Sequence, residues 1–278
     1  MNCTSFKMRT VNSGANHEIV LPNGKRVLID PFYMDCTTKD FSRDDVSGAD
    51  YIILTHAHLD HDSDLGYLAN KFQAKVFIGA MSAEAVLKFH KIPYDNLIPV
   101  FPGQTYTMDG VTFKFWQAKH NPFGPKRTYD PEKDISKTKY GVEGHKVCDD
   151  WGSMESLDVL ITTENNFRIL VASGSVLWKD LFSQCREERP NVVLRQAGVR
   201  KNGEQVSPEE LADLMIQYGA QVIFPFHMDV LVKKWGAEKT EDYMAQVAAS
   251  VRGKMPGTEF IYPKAYAWYE IGIGVNEL

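Results

Sequence analysis

The chain has 278 residues, 44% of them hydrophobic and 24% charged, enough apolar content for a sizeable core in one large domain or two modest ones. Its formal net charge of −5 argues against a nucleic-acid binder, which would carry a basic stripe. No stretch approaches bilayer-spanning length, MNCTSFKMRTVNSG has no apolar run fit for a signal peptide, and Cys3, Cys36, Cys148 and Cys185 are scattered without a CxxC pair. The expectation is a cytoplasmic protein with reduced thiols and no membrane partner.

In chain order, HEIVLPNGKRVLIDPF reads as a hairpin turning at Asn23-Gly24. ADYIILTHAH is a short apolar strand from Tyr51 to Leu54 that runs straight into histidines. SDLGYLANKF spaces Leu65, Leu68, Ala69 and Phe72 at a helix period. KVFIG is a strand, and Ser82 is placed to cap the helix AEAVLKFHK. TYTMDGVTFKFWQAKH is a hairpin turning at Asp109-Gly110, and LDVLITTENNFRILVASGS another turning near Asn165-Asn166. NVVLRQAG and QVIFPFH are strands. SPEELADLMIQYG is a helix with a Ser207/Glu210 capping box, Pro208 in its first turn and Gly219 at its end. TEDYMAQVAASV is the last helix. Residues 121–156 are polar, with little periodicity, and read as a long insertion or lid loop. The pattern predicts an α/β (α+β) chain of two packed sheets with helices outside, in a single domain over residues 1–278.

The chemistry concentrates in THAHLDHD, residues 55–62, which holds three of the chain's eight histidines. His56 and His58 lie two apart at a strand end, so in extended chain they share a face and can reach one ion at roughly 2.0–2.1 Å. Asp60 and His61 follow as the chain turns toward a helix and can address a second position. Imidazole with carboxylate suits zinc, manganese or iron.

This string after an apolar strand resembles the signature of the metallo-β-lactamase superfamily, a four-layer αββα sandwich with its metal site at one edge of the sheets. The resemblance extends to Asp30 in VLIDPF, His120 in FWQAKH and His227 in VIFPFH, and covers roughly Val11 to Tyr262. Within the superfamily the opening and the PEELADLMIQYGAQVIFPFH ending look most like the phosphorylated-ascorbate lactonase group. The resemblance implies a first ion on His56, His58 and His120, a second on Asp60, His61 and His227, and Asp30 in support behind the ligands.

One departure stands out. The superfamily has an acidic residue that bridges two metals after the ILF-like strand. Here RILVASGSVLW places Gly174 at that position, between Ser173 and Ser175. One ion, two ions joined through water or substrate, or an acid from the long loop (Glu143, His145, Cys148, Asp149 or Asp150) are the readings left open. Lys126, Arg127, Lys133, Lys137, Lys139 and Lys146 in the loop, with Arg200 and Lys201 after NVVL, hint at an anionic substrate. His145, Trp178 and Arg195 are the candidate substrate contacts.

The expected function is hydrolysis of a small, anionic ester, lactone or phosphodiester by a water activated at Zn2+ or Mn2+, one or two ions per chain, with Asp60 as catalytic residue. Serine-hydrolase chemistry is not expected, because Gly174-Ser175-Val176 lacks the G-x-S-x-G elbow. The competing readings are a degenerate site that binds metal or ligand without turnover, and redox chemistry on two irons, which would want acids where the chain has His58 and Gly174. A small molecule is the expected partner, and a homo-oligomer is left open.

Overall fold

The structure is a computed structural model that describes residues 4–11, 14–33, 41–120, 155–175 and 184–273. Its internal contacts gather into two compact units. One comprises Met1–Pro102, Pro122–Glu155 and Ala265–Leu278, and the other Gly103–Asn121 and Ser156–Lys264.

The first unit is built on a seven-stranded sheet. Its strands are β1 (Thr4–Thr10), β2 (His17–Val20), β3 (Arg26–Ile29), β4 (Tyr51–Ile53), β5 (Lys75–Gly79), β6 (Leu97–Val100) and β16 (Tyr269–Ile273), in the order β16-β1-β2-β3-β4-β5-β6. β2 and β3 are the expected hairpin, with Gly24 at φ +83° where the turn needs a residue without a side chain. From β3 the ladder is parallel, Leu28 opposite Ile52 and Ile52 opposite Val76. Parallel strands require crossovers; helices α1 (Leu59–Asp62) and α2 (Leu65–Phe72) occupy the one from β4 to β5, and α3 (Ala80–His90) the one from β5 to β6. Leu65, Leu68 and Ala69 of α2 are fully buried in a core with Leu28, Ile52, Leu54, Val76 and Ile78. Helix α3 starts two residues before the Ser82 cap expected from sequence. Its first N–H groups, on Met81 and Ser82, donate instead to the Glu155 carboxylate at 3.2 and 3.0 Å, an anion supplied from seventy-odd residues away that serves the same orphan donors.

The second unit also carries a seven-stranded sheet. Its strands are β7 (Thr105–Met108), β8 (Val111–Gln117), β9 (Leu157–Thr162), β10 (Arg168–Ala172), β11 (Val192–Gln196), β14 (Val222–Phe226) and β15 (Glu259–Phe260), in the order β15-β14-β11-β10-β9-β8-β7. The β7–β8 hairpin turns through Asp109 and Gly110, both at positive φ, and the β9–β10 hairpin through Asn166 at φ +61°. The short ribbon β12 (Arg200–Lys201) and β13 (Glu204–Gln205) stands apart. Helices α4 (Pro208–Ile216), α5 (Asp229–Trp235) and α6 (Ala237–Lys254) complete it. The Ser207/Glu210 capping box forms as expected, with Pro208 in the first turn. On α6 the buried side chains Tyr243, Met244, Val247 and Val251 recur at helical spacing and join Leu211 and Met215 of α4 in one apolar core. No helix among the described residues is long and apolar enough to cross a membrane.

Candidate metal centre

In the first unit β4 ends at Ile53 and the histidine segment begins two residues later. Its frame is set by Asp30, which follows β3, is fully buried, and adopts φ +48°. That conformation is tolerated by an aspartate more readily than by most residues. The Asp30 carboxylate accepts three hydrogen bonds. The Thr55 backbone N–H donates to Oδ1 at 2.7 Å and the Thr55 hydroxyl to Oδ2 at 2.7 Å. Nδ1 of His61 lies 2.8 Å from Oδ2. Since the Thr55 proton is committed to Asp30, the Thr55 oxygen accepts from Nδ1 of His56 at 3.0 Å.

This network fixes tautomers. His56 and His61 both carry the proton on Nδ1, so Nε2 is the lone-pair nitrogen of each ring. The two rings lie with centroids 3.8 Å apart and planes tilted by 51°, and His56 meets His58 edge-on at 4.6 Å. Candidate ligand nitrogens of His56 and His58 lie within 4.8 Å of each other, as do the candidate ligand atoms of Asp60 and His61. The short helix α1 brings Asp60 and His61 round, with the His61 N–H donating to the His58 carbonyl at 2.9 Å.

Two further carboxylates hold the frame. Asp64, buried, accepts from the Tyr33 N–H at 2.7 Å and from Arg43 at 3.2 Å, while its own N–H donates to the Pro31 carbonyl at 3.1 Å. It ties the segment after Asp30 to the start of α2. Asp62 pairs with Nε2 of His90 at 3.1 Å and anchors the far end of α3.

In the second unit His120 follows β8 and is half-buried, and His227 follows β14 at φ +57°. Nδ1 of His227 is 2.5 Å from Oδ1 of Asp229, which again leaves Nε2 as the lone-pair nitrogen. Asp229 itself is held by Lys233 one turn further along α5, at 3.3 Å. Sequence reasoning missed Asp229, although an acid two residues after a candidate ligand is the signal that could have found it. It also missed Thr55, which stands next to the first ligand.

Gly174 lies just beyond β10, and a Cβ built there would come within 3.2 Å of the Lys119 carbonyl and 3.4 Å of Ala118. A side chain at position 174 would therefore need the Lys119 backbone to give by a few tenths of an ångström. Arg195, expected to contact substrate, is 2% exposed, and its Nη1 donates to the Ala172 and Gly174 carbonyls at 3.0 and 2.6 Å. Its guanidinium is spent on the protein's own backbone, which removes it from the substrate contacts. Across the same loop, Oδ1 of the buried Asp158 accepts from the N–H groups of Ser173 and Gly174 at 2.7 and 3.3 Å. Burial pushes the Asp158 carboxyl up to about 6 against the lowering influence of Arg195 and these donors. Burial likewise pushes the Cys185 thiol up, consistent with an unreactive reduced cysteine. His145 and Trp178, with the acids and bases expected in the 121–154 stretch, lie outside the described residues.

A metal fits this donor set. Three of the five candidate histidines, His56, His61 and His227, have Nδ1 bonded to an oxygen, which is how ligating imidazoles are oriented and their basicity raised.

Residues 18–152 match the metallo-beta-lactamase superfamily model. A UPF0173 metal-dependent hydrolase of Staphylococcus saprophyticus is 35% identical over 99 residues, 36% of this chain and 42% of that protein; the match thus spans less than half the length of the curated relative. Among solved structures, Igni18, described as a novel metallo hydrolase from Ignicoccus hospitalis, superposes with a TM-score of 0.67 at 14% identity, covering 98% of this chain and 100% of that one. An isothiocyanate hydrolase from Delia radicum gut bacteria gives 0.61 at 15% identity, covering 96% and 99%.

Proposed function

Because the chain carries the metallo-β-lactamase fold along nearly its whole length and matches that superfamily's model over residues 18–152, we propose that it is a metal-dependent hydrolase of a small ester, lactone or phosphodiester. The observation that carries the reading is the Asp30–Thr55–His56–His61 network, which engages Nδ1 of both rings and leaves Nε2 of each for ligation.

The ligand sets are His56, His58 and His120 for one ion, and Asp60, His61 and His227 for a second, with Asp30 and Asp229 orienting the rings behind them. Zn2+ or Mn2+ suits nitrogen and carboxylate donors. Bound there, the metal supplies a Lewis acid that lowers the pKa of water toward neutrality. The chain's own part is to position and to move protons. Asp60 orients the attacking water and accepts its proton. Asp30 and Asp229 hold the Nδ1 side of the His61 and His227 rings, so the rings are aimed before the reaction begins.

The proposal is tested by assaying the protein, stripped and then reconstituted with Zn2+ or Mn2+, against a panel of lactones, carboxylate esters and phosphodiesters. Metal-dependent turnover that a chelator removes is the expected result. Full metal loading without turnover on any class supports the degenerate binding site instead. Iron with visible colour supports redox chemistry.

A further inference from the structure

Asp158 and Arg195 stand on the strands either side of β10, Asp158 on β9 and Arg195 on β11. Both are buried, at 1% and 2% exposure. The two opposite charges are thus buried two strands apart, with β10 between them. Each turns to the loop that leaves β10. The acid takes N–H groups, those of Ser173 and Gly174, while the Ser173 hydroxyl donates to the Leu157 carbonyl at 2.7 Å. The base takes carbonyls, those of Ala172 and Gly174. The Gly174 residue is thus gripped at both its N–H and its C=O. Nε of Arg195 is buried and bonds nothing among the described residues, so Nη1 serves the two carbonyls at the expense of Nε.

Ser175 makes two further backbone bonds, one of them accepted by its carbonyl from the Arg200 N–H at 3.2 Å. The Ser175 N–H donates to the Lys119 carbonyl at 2.9 Å, and Lys119 is the residue before His120. Glycine at 174 suits this close approach, since a Cβ there would lie 3.2 Å from the Lys119 carbonyl oxygen.

We propose that Asp158 and Arg195 are positioning residues that fix the 172–175 loop from beneath and, through the Ser175–Lys119 bond, hold His120 in place, so that the loop needs no metal-bound acid to order it. The function of the clamp rests on the reading of His120 as a ligand. Its existence does not, which allows the two to fail separately.

The test is hydrogen exchange at the amides of Ser173, Gly174 and Ser175 in the whole chain, stripped of metal and then loaded with Zn2+, together with Zn2+ affinity by chelator competition. In the unaltered protein the three amides should be protected to the same degree with and without Zn2+. Asp158→Ala should speed exchange of the first two by about tenfold or more while amides of β14 keep their protection. It should also weaken Zn2+ binding by roughly 10–100-fold, as loss of a ligand's support does. Should Asp158→Ala fail to fold, Asp158→Asn, which keeps the shape, and Arg195→Lys, which keeps the charge but not the guanidinium fork, should give the same changes in smaller degree. The proposal is overturned if the loop amides are protected only in the presence of Zn2+, or if these variants leave both exchange and affinity unchanged. A chain that binds no Zn2+ at all would remove the proposed function, while the exchange comparison in the stripped protein would still decide the clamp.

Discussion

Oδ2 of Asp30 receives both the hydroxyl of Thr55 at 2.7 Å and Nδ1 of His61 at 2.8 Å, although neither donor lies within twenty residues of it. One buried oxygen therefore joins the end of β3 to the residue before His56 and to His61 itself. Asp30→Ala leaves these buried donors without an acceptor, at a cost of about 1–3 kcal/mol. It also releases the His61 ring. The expected outcome is a lower denaturation midpoint together with Zn2+ affinity weaker by roughly 10–100-fold, read by chelator competition at a temperature where the variant is folded.

Asp229 should do for His227 what Asp30 does for His61. Asp229→Asn keeps the shape but can offer its NH2 to the ring as easily as its oxygen, so the tautomer is no longer fixed. The expected effect is a loss of metal affinity with a small change in stability, because the Asp229 side chain is partly exposed, at 20%. Unchanged metal binding in this variant would remove Asp229 from the site.

Restoring the superfamily's acid should not restore a bridge. Gly174→Asp places a Cβ at 3.2 Å from the Lys119 carbonyl, so backbone on one side must move. The expected result is destabilisation by about 1–3 kcal/mol and no increase in metal per chain, measured by denaturation and elemental analysis of the same preparation.

The buried Asp158 carboxyl has a signature in pH. Its pKa is raised in the folded chain to about 6 from 3.8, so folding binds its proton more tightly than the unfolded chain does. The stability it contributes is present below pH 3.8 and is lost as pH rises through about 6, by up to about 3 kcal/mol. Asp158→Asn cannot titrate. The difference in unfolding free energy between unaltered protein and variant, both metal-free, should therefore move in the variant's favour between pH 4 and pH 7. A difference that is flat across this range would contradict the burial argument.

The elements most legible in the sequence were those with local chemistry. Asn23-Gly24 and Asp109-Gly110 turn where expected because only a few residues adopt positive φ cheaply, and Ser207 with Glu210 caps its helix because both partners lie within one turn. The start of α3 was misjudged at Ser82 because its cap, Glu155, comes from a distant part of the chain. The same division holds at the site. His56, His58, Asp60 and His61 announce themselves by spacing. Arg195 does not reveal its task, because a basic residue at a strand end looks the same whether it faces a substrate or grips the carbonyls of a neighbouring loop. Asp158 sits in an apolar run, LDVLIT, where nothing marks it as the partner of Ser173 and Gly174.

The central claim is that this chain holds metal through the THAHLDHD histidines. It is tested most directly by elemental analysis of purified protein, after incubation with Zn2+ and Mn2+ and removal of excess, beside the variant with His58→Ala and His61→Ala together. The account expects one to two ions per chain in the unaltered protein, on the two ligand sets, and close to none in a folded double variant. Equal metal content in the two, or none in either, would contradict it.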